Sequence, residues 1–268
     1  MYLSTRLLLG LAFSALIGYL GYRRAALTRS GWLGAILTGT SIFGFGGLDG
    51  GLLLIAFFAS SSLLTRYHES AKTAVIEMFA KGGPRDLGQA LANGGVAALI
   101  ALVYGATGGS PLLFALFVGA LAEANADTWA TELGVLSKRK PRLITNGRLV
   151  APGTSGGVTL LGTLSALSGA ALIGGLAALF RSDGRLLFVG AVAGLIGSLF
   201  DSLLGATVQG IYYSDKRSKE TEKPFDRDGT PNRHLRGWTW LNNDAVNFLS
   251  TAVGAIIGFA MADLGWRM

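Results

Sequence analysis

Apolar residues gather along this chain in roughly eight stretches, each long or nearly long enough to cross a bilayer core, which takes about 20 helical residues. They run over 3–22, 31–46, 49–65, 90–106, 111–134, 156–180, 186–211 and 243–263. Polar residues fall between them with a strict alternation. The first, third, fifth and seventh connections hold 3, 4, 5 and 7 Lys/Arg, which is 19 of the 23 in the chain; the other four are Arg6, Arg181, Arg185 and Arg267. Basic loops stay on the cytoplasmic side. The pattern therefore predicts an all-α polytopic membrane helical bundle of about eight spans, with odd loops in the cytoplasm and both termini outside. It is one integral membrane domain, 1–268, with the functional motifs concentrated in 66–247.

Local signals refine these elements. Gly44–Gly51 breaks the second and third stretches and predicts a tight external turn; a single bent segment is the alternative, and it would invert the topology downstream. Arg23, Arg24 and Arg29 follow the first apolar run, where a cleaved signal would carry its charges in front, so that run is expected to stay as an anchor. In the third loop, 71–80 has the composition of a short interfacial helix. Glycine, 40 residues, lies mostly inside the apolar stretches and points to close helix packing. No internal repeat is evident.

Composition supports the membrane reading and removes several others. Half of the residues are hydrophobic, 15% are charged and mean hydropathy is +0.47. A soluble domain carries about 25% charge. The net charge of +7 is confined to loops, which suits anionic headgroups and phosphate-bearing substrates and leaves no soluble basic domain for nucleic acid. With no cysteine and only His68 and His234, thiolate and multi-histidine metal sites are excluded.

The candidate chemistry clusters at the odd loops. Glu123 and Asp127 are four apart in the fifth stretch and share a helix face. Glu132 lies about 140° from Asp127 on an ideal helix, so it joins them only if the helix bends or ends. Asp201 sits inside an apolar stretch, where a carboxylate costs about 2.5–3.5 kcal/mol and must face a partner or a wet cavity; the plainer reading is a structural ion pair. Acids without histidines suit a hard cation such as Mg²⁺. The turn PGTSGG, Pro152–Gly157, precedes the sixth stretch. Thr154 or Ser155 can cap the helix there, and freed N–H groups then form an anion site. Lys138, Arg139, Lys140, Arg142 and Arg148 lie upstream as phosphate clamps. No Gly-Lys-Ser/Thr follows, so this is not a Walker A loop. In LNNDAVN, Asn242 or Asn243 can cap the last helix, with Asp244 in its first turn and Asn247 on the face of Asn243. In KGGPRD, followed by Asn93, the residues Lys72, Lys81 and Arg85 can meet a phosphate or simply the headgroups.

The segments KGGPRDLGQALANGG, ANADTWATELG, PRLITNGRLVAPGTSGGVTLLGT, LFDSLLGATVQG and LNNDAVNFLST, in order over about 60–265, resemble the DUF92 family of membrane proteins, which takes in the phytyl-phosphate kinase of tocopherol synthesis. The resemblance implies phosphorylation of an isoprenyl monophosphate to the diphosphate by a nucleoside triphosphate, CTP by preference. More loosely, the glycine turn looks like that of CDP-diacylglycerol synthases. On this basis Asp127, Glu132, Asp201, Asn243 and Asp244 match acidic and amide motifs that would hold Mg²⁺, with Asp127, Asp201 and Asp244 at the chemistry. Arg142, Thr145, Gly153, Thr154, Ser155 and Gly156 match the glycine-turn motif for the nucleotide, helped by Lys72, Lys81, Arg85 and Asn93. Cysteines that some relatives carry in the last basic loop are missing here. The expected partners are the isoprenyl monophosphate, the nucleotide and membrane lipids; nucleic acid is not expected, and a homodimer is allowed. The expected location is a plasma, inner or thylakoid-type membrane with the site facing the cytoplasm. A cytidylyltransferase attacking the α-phosphorus, a lipid or phosphate transporter and a non-enzymatic scaffold are the rival readings.

Overall fold

The computed structural model describes residues 2–68, 83–226 and 228–267. Among them are seven long helices: α1 (Leu3–Arg23), α2 (Arg29–Arg66), α3 (Leu87–Ala106), α4 (Pro111–Gly134), α5 (Leu160–Arg181), α6 (Arg185–Thr207) and α7 (Asn243–Arg267). Six of them are long and apolar enough to cross a membrane. The remaining one, α4, carries Glu123, Asp127 and Glu132. The expected interfacial helix at 71–80 lies outside the described residues.

The helix count is one below the eight apolar stretches, because the second and third form the single element α2. Its backbone is broken at Gly47, where φ is +76° and ψ −168°. Only glycine enters that region cheaply, so the turn sits where the sequence placed its glycine-rich break. The two arms fold back on each other. Arg85 accepts from the Thr28 N–H at 2.9 Å through its carbonyl and donates to the Ser62 hydroxyl at 3.3 Å, so both ends of α2 meet at one residue. The Arg66 guanidinium likewise donates to the Arg24 carbonyl.

Helix ends follow their capping chemistry. Thr28 caps α2 through the Gly31 N–H at 3.0 Å, and Ser110 caps α4 through the Leu113 N–H ahead of Pro111. Asp86 and Gln89 form a reciprocal capping box on α3. Asn242 caps α7 through the Ala245 N–H at 3.0 Å, as one expectation had it. The cap of α5 is a correction: Thr159, not Thr154 or Ser155, accepts from the Gly162 N–H. The glycine turn ends earlier, in a strand, and so stands free of the helix start.

α4 is the axis of the bundle, packed by α5, α6 and α7 and touched by α2 and α3. Small residues bring the neighbours onto its backbone. A Cβ built on Gly119 would lie 2.3 Å from the Gly254 carbonyl, and one on Gly194 would lie 2.7 Å from the Ala122 carbonyl. Asn125, fully buried, knits α4 to two partners: its Oδ1 accepts from Ser60 at 3.0 Å and its Nδ2 donates to the Gly169 carbonyl at 2.7 Å.

Two small sheets lie at the basic end, and the hydrophobic pattern gave no sign of them. β1 (Arg142–Leu143) and β2 (Gly157–Val158) pair antiparallel and fold the fifth loop into a hairpin. β3 (Ile211–Ser214), β4 (Lys219–Thr221) and β5 (Arg233–Arg236) form an antiparallel sheet in the order β4-β3-β5. At the opposite end the exceptions to the charge pattern find local partners. Arg181 pairs with Asp49 at 2.8 Å, Arg185 with Asp183 at 2.9 Å, and Arg6 donates to the Phe45 carbonyl at 3.3 Å.

Candidate functional site

A cavity of about 280 Å³ opens at the basic end between α4, α5 and α6, the glycine turn and the three-stranded sheet. Asp127 and Asp201 line it from α4 and α6, inside the apolar bundle. They are near enough for their charges to interact, and Glu222 reaches both. Glu222 follows β4, so the sheet supplies a third carboxylate from outside the helical bundle. Ser198, one turn before Asp201, sits beside Asp127.

Glu123 forms the floor behind this group. It is 1% exposed, and its buried Oε1 has no hydrogen-bond partner among the described residues. It interacts with Asp127 and Asp201 but does not line the cavity. Glycine makes room for it: Cβ atoms on Gly197 and Gly254 would lie 2.3 Å and 2.6 Å from its side-chain carbons. Asp127 and Glu123 thus share a face, as their four-residue spacing required.

The opposite wall is cationic. Arg85 lines the cavity from the turn before α3, held through its own backbone by Ala26 and Thr28. Burial pulls its guanidinium pKa below the usual value, while Glu132 works in the other direction. Glu132 accepts a 2.7 Å hydrogen bond from Thr65. It lines the cavity but belongs to this Arg85–Thr65 side, as its 140° offset from Asp127 implied, and not to the Asp127–Asp201 pair. Of the five basic residues in the fifth loop, Arg139 alone lines the cavity.

The glycine turn crosses the mouth. Gly153, Thr154, Ser155 and Gly156 all line it. Gly156 has φ +80°, and a Cβ there would sit 2.4 Å from the Ala206 Cβ, so only glycine lets the turn lie against the end of α6. Ser155 donates to Glu222 at 2.6 Å and so ties turn to sheet. Arg236 donates to the Gly205 carbonyl at 2.9 Å and ties the sheet to α6. Gln209, 2% exposed, presents to the same space a buried Nε2 with no partner among the described residues. Together with the backbone N–H groups of the glycine turn, the Gln209 amide suits an anion.

The Ser155–Glu222 bond makes a checkable prediction. A hydrogen bond to a charged acceptor contributes about 1.5–3 kcal/mol. Ser155→Ala should therefore loosen the sheet and speed tryptic cleavage at Lys216–Arg217 by about tenfold or more. An unchanged cleavage rate would show that the bond does not hold the sheet.

The other expected residues divide between the cavity and its surroundings. Asn243 and Asn247 line the cavity; turned so that its nitrogen faces the acids, Asn247 donates to Asp201 Oδ2 at 3.1 Å. Asn93 lies behind it, at 3.5 Å from the Asn247 amide, and does not line the space. Asp244, in the first turn of α7, does not line the cavity. Arg142 and Thr145 are corrections: the β1–β2 hairpin leaves both exposed, and Arg142 donates to the Gly147 carbonyl at 2.9 Å. Lys72 and Lys81 lie outside the described residues. Residues the sequence reading missed are Glu222, Gln209, Ser198 and Thr159. Glu222 and Gln209 carry no spacing signal, because only the fold of the last loop brings them over the helix ends.

The groups beside Asp127 and Asp201 are the Glu222 carboxylate, the Ser198 hydroxyl and the Asn247 amide. Among the described residues no group of three or more His, Cys, Asp or Glu is arranged to hold a metal ion. The set therefore resembles a site that shares a cation with a bound phosphate more than a closed protein cage.

Residues 12–255 match the family model described as "Integral membrane protein DUF92". Among curated proteins, Protein PGR of Arabidopsis thaliana is 37% identical, over 91% of this chain and 92% of its own. Uncharacterized membrane protein MJ0933 of Methanocaldococcus jannaschii is 31% identical, over 94% and 93%. Protein VTE6, chloroplastic, of Arabidopsis thaliana is 28% identical, over 88% of this chain and 65% of its own. No solved structure matches.

Proposed function

The chain belongs to the DUF92 family of integral membrane proteins, and from that premise we propose that it is a nucleotide-dependent lipid-phosphate kinase. It transfers the terminal phosphate of a nucleoside triphosphate, CTP by preference, to an isoprenyl monophosphate of phytyl or geranylgeranyl type. The observation that carries this reading is one cavity uniting Asp127, Asp201 and Glu222 with Arg85 and a glycine turn. The kinase reading also draws on the motif resemblance described above to the family that takes in the phytyl-phosphate kinase of tocopherol synthesis.

In the reaction, an oxygen of the lipid phosphate attacks the γ-phosphorus and the bond between it and the β,γ-bridging oxygen breaks. The nucleoside diphosphate leaves and the lipid diphosphate remains. The nucleophile is already anionic, so no proton has to be removed, which suits a cavity without histidine. Catalysis then rests on positioning and charge neutralisation. Gly153, Ser155 and Gly156, through their backbone N–H groups, and Gln209, through its side-chain amide, donate to the nucleotide phosphates. Arg85 holds the lipid phosphate and Arg139 attracts the triphosphate at the rim. Asp127 and Asp201 would hold Mg²⁺, whose contribution when bound is to neutralise phosphate oxygens. Asn247 orients Asp201 through its amide.

The site is proposed to face the cytoplasm, because the Lys/Arg-rich loops lie at its end of the bundle. The test is a product assay on detergent-purified protein with geranylgeranyl or phytyl monophosphate, Mg²⁺ and γ-labelled CTP. Label on a lipid diphosphate, with CDP released, is the expected result. Label only in pyrophosphate would replace the kinase with a cytidylyltransferase. No turnover with any nucleotide would overturn the enzymatic reading.

A further inference from the structure

A second, narrower cavity of about 80 Å³ adjoins the first, and the two share Arg85 and Gln89. It lies between α1, both arms of α2 and α3, so it faces the lipid-exposed flank of the bundle and not its axis. Away from the Arg85–Gln89 end its walls are hydrocarbon or glycine, apart from two hydroxyls. One of these, Thr38, is turned into its own helix, donating to the Gly34 carbonyl at 2.8 Å. The slot reaches from Leu27 and Arg85 at the basic end to Phe43. Along α2, Arg29 to Phe43 amounts to about 20 Å at the helical rise.

Phe43 is the lining residue of the first arm of α2 that lies farthest along the helix from Arg29. Its ring stacks on Phe13 with centroids 6.0 Å apart. A Cβ on Gly51 would lie 2.1 Å from its ring, and one on Gly10 would lie 2.9 Å from its Cβ. It is wedged from both sides, so it forms a rigid floor.

We propose that this slot receives the single apolar tail of the lipid monophosphate, with its phosphate at Arg85, and that Phe43 limits the length of tail the protein accepts. The proposal rests on the lipid-phosphate reading above and names where that substrate sits. A cation stands at the one point where the apolar slot meets the polar cavity, and that is the charge order of a phosphate with one tail. One narrow slot excludes a two-tailed lipid phosphate. Its closed end admits a few isoprenyl units and stops a long polyprenyl chain, which fixes the occupant as a short-chain isoprenyl monophosphate.

The test measures binding, without nucleotide, of geranyl, farnesyl, geranylgeranyl and solanesyl monophosphates and of phosphatidate to the full chain in detergent. Wild type is expected to favour geranylgeranyl monophosphate over both solanesyl monophosphate and phosphatidate. Phe43→Ala should shift the preference toward the solanesyl probe by about tenfold or more. Ala35→Phe, which fills the slot midway, should lose geranylgeranyl binding by a similar factor and keep the geranyl probe. If Phe43→Ala does not fold, Phe43→Leu takes its place with a smaller shift in the same direction. An unchanged length profile in folded variants, or phosphatidate binding as well as the single-tailed probes, overturns the proposal. Because the readout needs no phosphotransfer, failure of the kinase reading leaves a length-selective slot standing. Conversely, turnover with an unaltered length profile removes the slot and keeps the kinase.

Discussion

Asp201→Asn and Asp127→Asn should each abolish phosphotransfer, by about 10³-fold in kcat, while leaving the protein folded and as heat-stable as before or more so. Removing one electrostatic group aimed at developing charge costs about 10²–10³-fold in a dry site, and in the proposed mechanism the group would also hold the cation. Stability moves the other way for a physical reason. Asp127, Asp201 and Glu222 repel one another inside the bundle, with Glu123 behind them. A carboxylate within a membrane span costs several kcal/mol unless it is compensated. Asparagine keeps the shape and the hydrogen-bonding edge and removes the repulsion. The measurement pairs the product assay with a thermal melt in the same detergent. Activity within roughly twofold of wild type in both variants would remove the two acids from the chemistry. Loss of folding along with activity would make them structural, which is the ion-pair alternative. Among the described residues no cation pairs with Asp201 as a simple ion pair would; the Asn247 amide donates to it instead.

The sequence made the bundle legible because crossing a bilayer leaves long, uniform marks. Segment lengths, the charge alternation and the glycine break at Gly47 all came from one-dimensional pattern. Asp127 and Asp201 were legible for the same reason, since an acid within an apolar run is expensive and has to be explained. The limits lie where long-range folding decides. Glu222 looks like any loop acid until the β3–β5 sheet folds its loop over the cavity, and Ser155 looks like a helix cap until β2 intervenes. Arg142 and Thr145 belong to a motif by position, yet the β1–β2 hairpin leaves both exposed. Proximity in sequence to a glycine turn does not fix which way a side chain faces. For Arg85, the sequence supplied the residue but not its role as the hinge between two cavities. That role depends on the α2 hairpin bringing Thr28 and Ser62 to the same point.

Gly119→Val should be the most damaging single change away from the cavity. In a membrane, helices gain little from burying apolar surface against each other, so close van der Waals packing carries the association. At Gly119 that packing is backbone on backbone. A Cβ would sit 2.3 Å from the Gly254 carbonyl and 3.2 Å from the Gly258 Cα, neither of which can rotate away. Valine adds two further methyl groups, so α4 and α7 must separate. Overpacking of this kind costs about 1–3 kcal/mol and occasionally more, and a rigid backbone contact belongs at the upper end. The separation is transmitted directly to the chemistry. Gly254 also makes room for Glu123, one helical turn along from Gly119, and Asp127 follows on the same face. The variant should therefore melt well below wild type and lose activity in the fraction that stays folded. Gly175→Ala is the control, since its Cβ would meet nothing nearer than the Leu187 Cδ1 at 3.8 Å. There the gain in helix propensity, about 0.5–1 kcal/mol, should leave the melt unchanged or slightly raised. Equal behaviour of the two variants would mean that glycine serves the bundle through flexibility, and the account of how α4 holds its acids at the centre would have to be replaced.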